Sequence, residues 1–184
     1  MDALTTVILV VVAVIVVAAA LFFWQQRRSR SLRERFGPEY DRAVSEKGDK
    51  RRGESELLQR QKRRGELDIR SLEPAERDQF WAAWRDIQAR FVDAPKESIK
   101  DANVLVQRVM RARGYPVDDF EQRSADISVD HPNVVENYRA AHGISLASQQ
   151  DQASTEDLRQ ALVHYRSLFE ELLETAASDL EEAR

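Results

Sequence analysis

A run of 21 residues without a charged side chain, Leu4–Trp24, constrains this chain more than any other feature. At about 1.5 Å of rise per residue the run makes roughly 30 Å of helix, which matches the hydrocarbon core of a bilayer. Val and Ile are mediocre helix formers in water, but in lipid every backbone N–H and C=O must be paired within the segment. We therefore predict a transmembrane anchor over residues 1–26.

A cleaved signal peptide is the competing interpretation of the same run. Signal peptides have a positively charged start and an apolar stretch of about 7–15 residues. Here Asp2 is the only charged side chain before the run, and the run is longer than that. Both differences favour an uncleaved transmembrane helix.

Basic residues follow the apolar run at once. With Trp24 they form the predicted membrane-surface contacts: Arg27, Arg28, Arg30, Arg33 and Arg35. Lys and Arg beside a span remain on the cytoplasmic side, and aromatic residues favour the interface. We therefore expect the chain before the span to face outwards and the chain after Trp24 to lie in the cytoplasm.

The charge of the chain changes with distance from the apolar run. Residues 25–65 hold 14 basic and 7 acidic side chains, whereas residues 66–184 hold 14 basic and 24 acidic ones. Anionic lipid attracts a nearby Lys or Arg by about 1 kcal/mol, over a Debye length of about 8 Å. The first arginines are therefore either topology signals alone or contacts to anionic lipid, and both interpretations stay open. The acidic part is unsuited to binding nucleic acid.

Residues 27–66 are predicted to form a basic, solvated helical stalk beside the membrane. Apolar residues are few there, and pairs such as Glu46–Lys50 support a helix, whereas the glycines weaken it. The motif KRRG occurs at Lys50 and again at Lys62, which chance in a basic stretch explains better than a repeat.

Residues 67–174 are predicted to form a cytoplasmic helical domain, with an acidic tail over residues 175–184. Apolar residues recur there at spacings of 3 and 4, which place them on one helix face. The predicted faces are Phe80, Trp84, Ile87 and Phe91; Ile99, Ala102, Val106, Val109 and Met110; and Leu158, Leu162, Tyr165, Phe169 and Leu172. Gly114 should stop the second helix, and Ser154 with Asp157 should cap the last one. The fold class is therefore all-α: an anchor, a stalk and a small helical bundle.

The stretch SVDHPNVVENYRAAH, residues 128–142, holds the densest polar cluster. A metal site would use His131 and His142 with Asp130 or Glu136, but eleven residues of straight helix separate the two imidazoles by roughly 16 Å. The favoured interpretation is that Asp130 and His131 cap a helix that begins near Pro132 and ends at Gly143. A polar loop is expected after it.

The stretch RGYPVDDF, residues 113–120, is a turn with aromatic and acidic residues, and loops often carry function. Asp118 and Asp119 are adjacent, so on a helix they diverge by about 100° and favour a helix N-terminus over acid–base chemistry. Together with Asp130 and His131, Tyr115 and these two aspartates form the candidate ligand or partner loop.

Function is constrained mainly by what the sequence lacks. There is no Cys, which excludes thiolate metal sites and cysteine nucleophiles, and no phosphate-binding loop or hydrolase motif. We expect a non-enzymatic membrane-anchored scaffold without a cofactor, which binds a protein partner or itself. The alternative is a small-molecule or metal-binding domain that uses the Asp118/Asp119 and Asp130/His131 loops.

Several stretches resemble a family of uncharacterised bacterial single-pass membrane proteins, often described as hypothetical or secreted. They are RFGPEYDRAV, LDIRSL, RFVDAP, RGYPVDDFEQR, SVDHPNVVENYRAAH and TEDLRQALVHYRSLFEELL, within residues 35–173. The resemblance implies a bacterial inner membrane and a stalk that belongs to the protein's design. It implies no activity, because the family has no assigned function.

Overall fold

The protein is helical throughout the part covered by its computed structural model, which describes the backbone of residues 3–182 and the side chains of residues 11–174. No strand occurs within that backbone range, which confirms the predicted all-α fold class. The helices are α1 (Ala3–Phe36), α2 (Pro38–Lys47), α3 (Lys50–Gly65), α4 (Pro74–Arg90), α5 (Pro95–Arg113), α6 (Phe120–Asp130), α7 (Val135–Gln149) and α8 (Thr155–Glu182). The chain divides into an N-terminal unit, residues 1–57, and a C-terminal unit, residues 58–184.

Helix α1 contains the apolar run. Among the described residues, its segment Val11–Phe36 is long and apolar enough to cross a membrane, by length and composition. The most apolar part of that segment is not buried by protein, and the side chains of Phe22, Phe23 and Trp24 are more than 60% exposed. An apolar surface of this extent needs apolar surroundings, and it is the surface that a bilayer would cover.

In the N-terminal unit, α2 folds back against the charged end of α1. The chain reverses at Gly37, and Pro38 occupies the first turn of α2. Arg33 donates from Nη2 to Asp41 Oδ1 at 3.0 Å, and its guanidinium lies 4.9 Å from the centre of the Tyr40 ring. The stretch after the apolar run therefore returns along α1.

Helix α3 lies directly on α2. Tyr40 donates from its hydroxyl to Glu54 Oε1 at 2.8 Å, and burial and this bond raise the pKa of Tyr40 to about 12. A Cβ added at Gly53 would lie 2.7 Å from the Cα of Val44. The backbones of α2 and α3 are therefore too close at this point for any residue larger than glycine. Leu57, also on α3, is fully buried. The stretch over residues 27–66 is thus helical but folded, whereas the sequence analysis expects a solvated stalk.

The C-terminal unit is a bundle in which α8 packs against both α5 and α7, and α4 packs against α5. Its core contains Trp84 and Phe169, whose rings stack with centres 4.8 Å apart, and Trp81 meets Phe169 edge-on at 5.1 Å. The predicted face of α5 is buried at every position. The apolar spacings therefore identify the residues that hold this bundle together.

Two predicted helix ends are confirmed by the backbone. Helix α5 ends at Arg113, and Gly114 follows with φ of 98°, where a Cβ would lie 2.1 Å from the carbonyl oxygen of Asp68. At the start of α8, Ser154 donates its N–H to Asp157 Oδ2 at 2.8 Å, and the Asp157 N–H donates to Ser154 Oγ at 3.2 Å. These signals are local, which is why the sequence suffices to place them.

The prediction for α7 is wrong at both ends. The helix begins at Val135, after a turn, and continues past Gly143 to Gln149. Ser145 and Ser148, expected in a polar loop, are buried on one face of it. Packing of the bundle therefore outweighs the weak helix propensity of these serines. The backbone of α8 continues to Glu182, and the side chains of the predicted acidic tail lie outside the described residues.

Candidate functional site

The aspartates of the candidate loop begin α6. Asp119 is its N-cap, with its Oδ2 accepting the backbone N–H of Gln122 at 2.7 Å. This confirms the helix-terminal role predicted for this carboxylate. Asp118 is exposed and has no hydrogen-bond or ionic partner among the described residues.

Asp130 ends α6 and binds two side chains from other parts of the C-terminal unit. Its Oδ2 accepts the hydroxyl of Tyr115 at 2.5 Å and the Nε–H of Arg64, on α3. Tyr115 is buried, and burial together with the neighbouring carboxylate raises the pKa of its hydroxyl. The hydroxyl therefore stays protonated and remains a donor, so the three side chains join α3, α6 and the turn after α5.

A second ion pair links α3 to α6 one helical turn away. The carboxylate of Asp126 is completely buried. It accepts the Nε–H of Arg63 at 3.0 Å and the side-chain amide N–H of Gln122 at 2.9 Å. Removing one partner of a buried pair leaves an uncompensated charge, which costs about 3–5 kcal/mol. Arg63 is half exposed, so the cost here lies below that range. We call Arg63, Arg64, Tyr115, Asp126 and Asp130 the α3–α6 latch.

His131 lies at the end of α6, and the prediction that Asp130 and His131 cap the next helix is wrong. The His131 N–H donates to the carbonyl of Ile127 at 2.8 Å, which closes the last turn of α6. Pro132 explains the break, because a residue before proline is pushed out of the helical region, and His131 has φ of −129° and ψ of 55°.

The imidazole of His131 is buried beside α8. Its Nδ1 lies 3.2 Å from Glu171 Oε1, while its Nε2 is buried and has no hydrogen-bond partner among the described residues. Burial lowers the pKa of His131, although Glu171 opposes that effect. The geometry fits a neutral ring that donates from Nδ1 to the carboxylate.

The residues named for a ligand site do not converge. Asp118 and Asp119 precede α6, whereas Asp130 is its last residue and His131 follows it. Eleven residues of helix, roughly 16 Å, therefore separate the two pairs. His142 stacks on Phe120 at the first end, with ring centres 3.6 Å apart. Within the described residues no group of three or more His, Asp or Glu side chains could hold a metal ion.

Sequence reasoning missed the basic half of the latch. Arg63 and Arg64 belong to the second KRRG motif, which the sequence analysis attributes to chance. A signal was present, because Asp126 and Asp130 are four residues apart and therefore form an acidic stripe on one face of α6. The sequence does not indicate which basic stretch faces that acidic stripe.

The predicted membrane-surface residues differ in their partners. Arg30 binds Glu34 at 2.9 Å, Arg33 binds Asp41, and the guanidinium of Arg28 lies 5.6 Å from the centre of the Trp24 ring. Arg27, Arg28 and Arg35 form no ion pair in the part of the chain that the structure describes.

The latch should contribute to stability. Replacing the charged acceptor in Asp130→Asn should lower the free energy of unfolding by about 1.5–3 kcal/mol, since hydrogen bonds to a charged group are strong. Tyr115→Phe removes a donor to the same oxygen, so the double variant should lose less than the sum of the two single variants. Denaturant unfolding of the full chain in detergent measures both effects.

The matched control is Asp118→Asn, which removes the same charge from an unpartnered carboxylate and should change stability by less than about 0.5 kcal/mol. Equal losses in Asp118→Asn and Asp130→Asn, or strict additivity with Tyr115→Phe, would contradict the latch.

His131 should make the bundle sensitive to acid. Its pKa in the folded chain lies below the ordinary value of 6.5, so the unfolded chain takes up the proton first as the pH falls. The free energy of unfolding should therefore fall as the pH drops below about 6.5. The pKa of His142 is also lowered by burial and adds a slope of the same sign.

Unfolding curves between pH 8 and pH 5 should show a smaller decline for His131→Gln than for the native chain. His164→Gln, the same substitution at another half-buried histidine, on α8, is the control. A native slope in His131→Gln would show that His131 does not titrate as its burial requires.

Comparison of the chain with protein-family models, with curated proteins and with solved structures gives no match. The resemblance to an uncharacterised bacterial membrane family therefore stays a prediction from the sequence.

Proposed function

We propose that this chain is a single-pass protein of a bacterial inner membrane whose helical part binds a protein partner, or another copy of itself, on the cytoplasmic side. It acts as a scaffold and not as an enzyme. The chain before α1 faces outwards. The arginines that follow the apolar run support this orientation, because basic residues beside a span stay in the cytoplasm.

One observation carries the proposal: most of the polar side chains that suggested a chemical site are used to assemble the protein. Asp119 caps α6, Asp130 accepts two donors of the latch, and the Nδ1 atom of His131 lies within hydrogen-bond distance of Glu171. Groups that join helices in this way are poorly placed to bind a substrate. A partner would then bind the outer surface of the helical unit.

That surface exposes several large apolar side chains. Val104 on α5, Leu146 on α7 and Val163 on α8 are each about half exposed. Scattered apolar residues are ordinary on a protein surface, so no single one of them marks an interface. They are, however, the positions at which a partner would bury apolar area.

The alternative is a ligand site at the same loops. The unpartnered Nε2 of His131 favours it, but the two aspartate-containing pairs lie at opposite ends of α6 and cannot share one ligand. A site at this end alone would have to use Asp130 and His131 while both remain engaged with other helices. We therefore place it second.

Site-specific photocrosslinking in native membranes tests the scaffold. A photoreactive residue at Val104, Leu146 or Val163 of the full chain should give a defined crosslinked species at one of these positions. Glu136 on α7 and Gln160 on α8, which are exposed and polar, are the control positions and should give none.

The identity of the crosslinked species separates self-association from a different partner. A monomer at all three apolar positions, or equal crosslinking at the polar controls, would overturn the proposal.

A further inference from the structure

The corner between α2 and α3 lies beside the end of the apolar run. Because α2 runs back along α1, Lys50 at the start of α3 borders the same groove as Gln26 of α1. Arg51 borders a second groove together with Trp24 and Arg28. A basic corner that is more than 20 residues beyond Trp24 in sequence thus lies next to it in space.

The second groove is formed by one face of each helix. Helix α1 contributes Leu21, Trp24, Gln25 and Arg28, whose spacings of 3, 1 and 3 place them on one face, and α3 contributes Arg51 and Ser55. The cavity has a volume of about 390 Å³. That volume is within the usual range for small-molecule sites, about 300–1,000 Å³, so a lipid headgroup fits it. We call it the α1–α3 groove.

The residues that the structure describes do not neutralise the positive charges of the α1–α3 groove. Neither Arg28 nor Arg51 has a carboxylate partner in the part of the chain that the structure describes. Among the described residues that line the groove, Glu54 is the only acidic one. Its carboxylate accepts the Tyr40 hydroxyl at 2.8 Å and lies 3.8 Å from Lys50 Nζ. Two unpaired guanidinium groups therefore remain to attract an anion.

The apolar wall of the groove fixes the depth at which this anion would lie. Leu21 and Trp24 belong to the predicted span, and tryptophan favours the level of the lipid headgroups. Arg28 is one helical turn beyond Trp24, about 6 Å along α1. The guanidinium groups then lie where phosphodiesters lie, with apolar side chains directly on the acyl-chain side.

We propose that the α1–α3 groove binds the headgroup of an anionic phospholipid. Arg28 and Arg51 donate to its phosphate oxygens, because a planar guanidinium matches phosphate geometry, while Trp24 and Leu21 contact the upper part of an acyl chain. This inference rests on the proposed insertion of α1 in a membrane. It adds a specific site, and a residue of α3, to the contacts with anionic lipid that the sequence left open for the first arginines.

The test compares two double variants of equal charge in the full chain. Arg28→Gln/Arg51→Gln removes both groove arginines. Arg27→Gln/Arg52→Gln removes the neighbouring residue on each helix, both exposed, without an ion pair and outside the groove. Binding of phosphatidylglycerol to the detergent-solubilised chain is titrated by native mass spectrometry, with phosphatidylcholine as the zwitterionic reference.

We expect the native chain to prefer phosphatidylglycerol, the groove variant to lose at least tenfold in affinity for it, and the control variant to change by less than threefold. Equal losses in the two variants would show diffuse attraction and overturn the groove. Equal binding of phosphatidylcholine, or inorganic phosphate that displaces the lipid at equal concentration, would overturn the assignment to an anionic phospholipid.

Failure of the groove can be separated from failure of the anchor. Extraction of native membranes with alkaline carbonate tests α1 alone. If the chain resists extraction but fails the lipid titration, only the groove proposal is contradicted. If carbonate releases the chain, the membrane proposal is contradicted as well.

Discussion

The apolar surface of α1 is the constraint on which the rest of the structure depends. A helix that exposes Val, Leu, Phe and Trp side chains along this length needs a bilayer or another apolar cover, and its charged continuation must remain in water. The two helices that follow bring charged residues back to that boundary. Helix α2 turns back at Gly37, and the start of α3 returns to the level of Trp24, so basic residues distant in sequence meet at one surface.

Sequence was sufficient where packing did not override a local signal. Gly114 marks the end of α5, and the reciprocal bonds of Ser154 and Asp157 mark the start of α8. The apolar spacings also identify the core, because apolar residues at intervals of 3 and 4 lie on one face of a helix, and that face is buried. Trp84 and Phe169 lie on such stripes and stack in the bundle.

Sequence was insufficient to identify the partner of a polar residue where several distant partners were possible. His131 precedes a proline, which is compatible with the end of one helix or the start of another, and only the packing of α6 decides between them. Arg63 meets Asp126 across more than sixty residues of chain, and no local rule selects that carboxylate. The candidate site was therefore predicted as a set of residues, but their division between the two ends of α6 was not.

Orientation of the membrane span is the central claim, since the proposed scaffold requires the helical units to be cytoplasmic. The chain has no cysteine, so Gln150→Cys, at the exposed end of α7, provides a single probe. A membrane-impermeant maleimide should label this variant only after the cells are lysed. Labelling in intact cells would place the C-terminal unit outside the membrane and contradict the account.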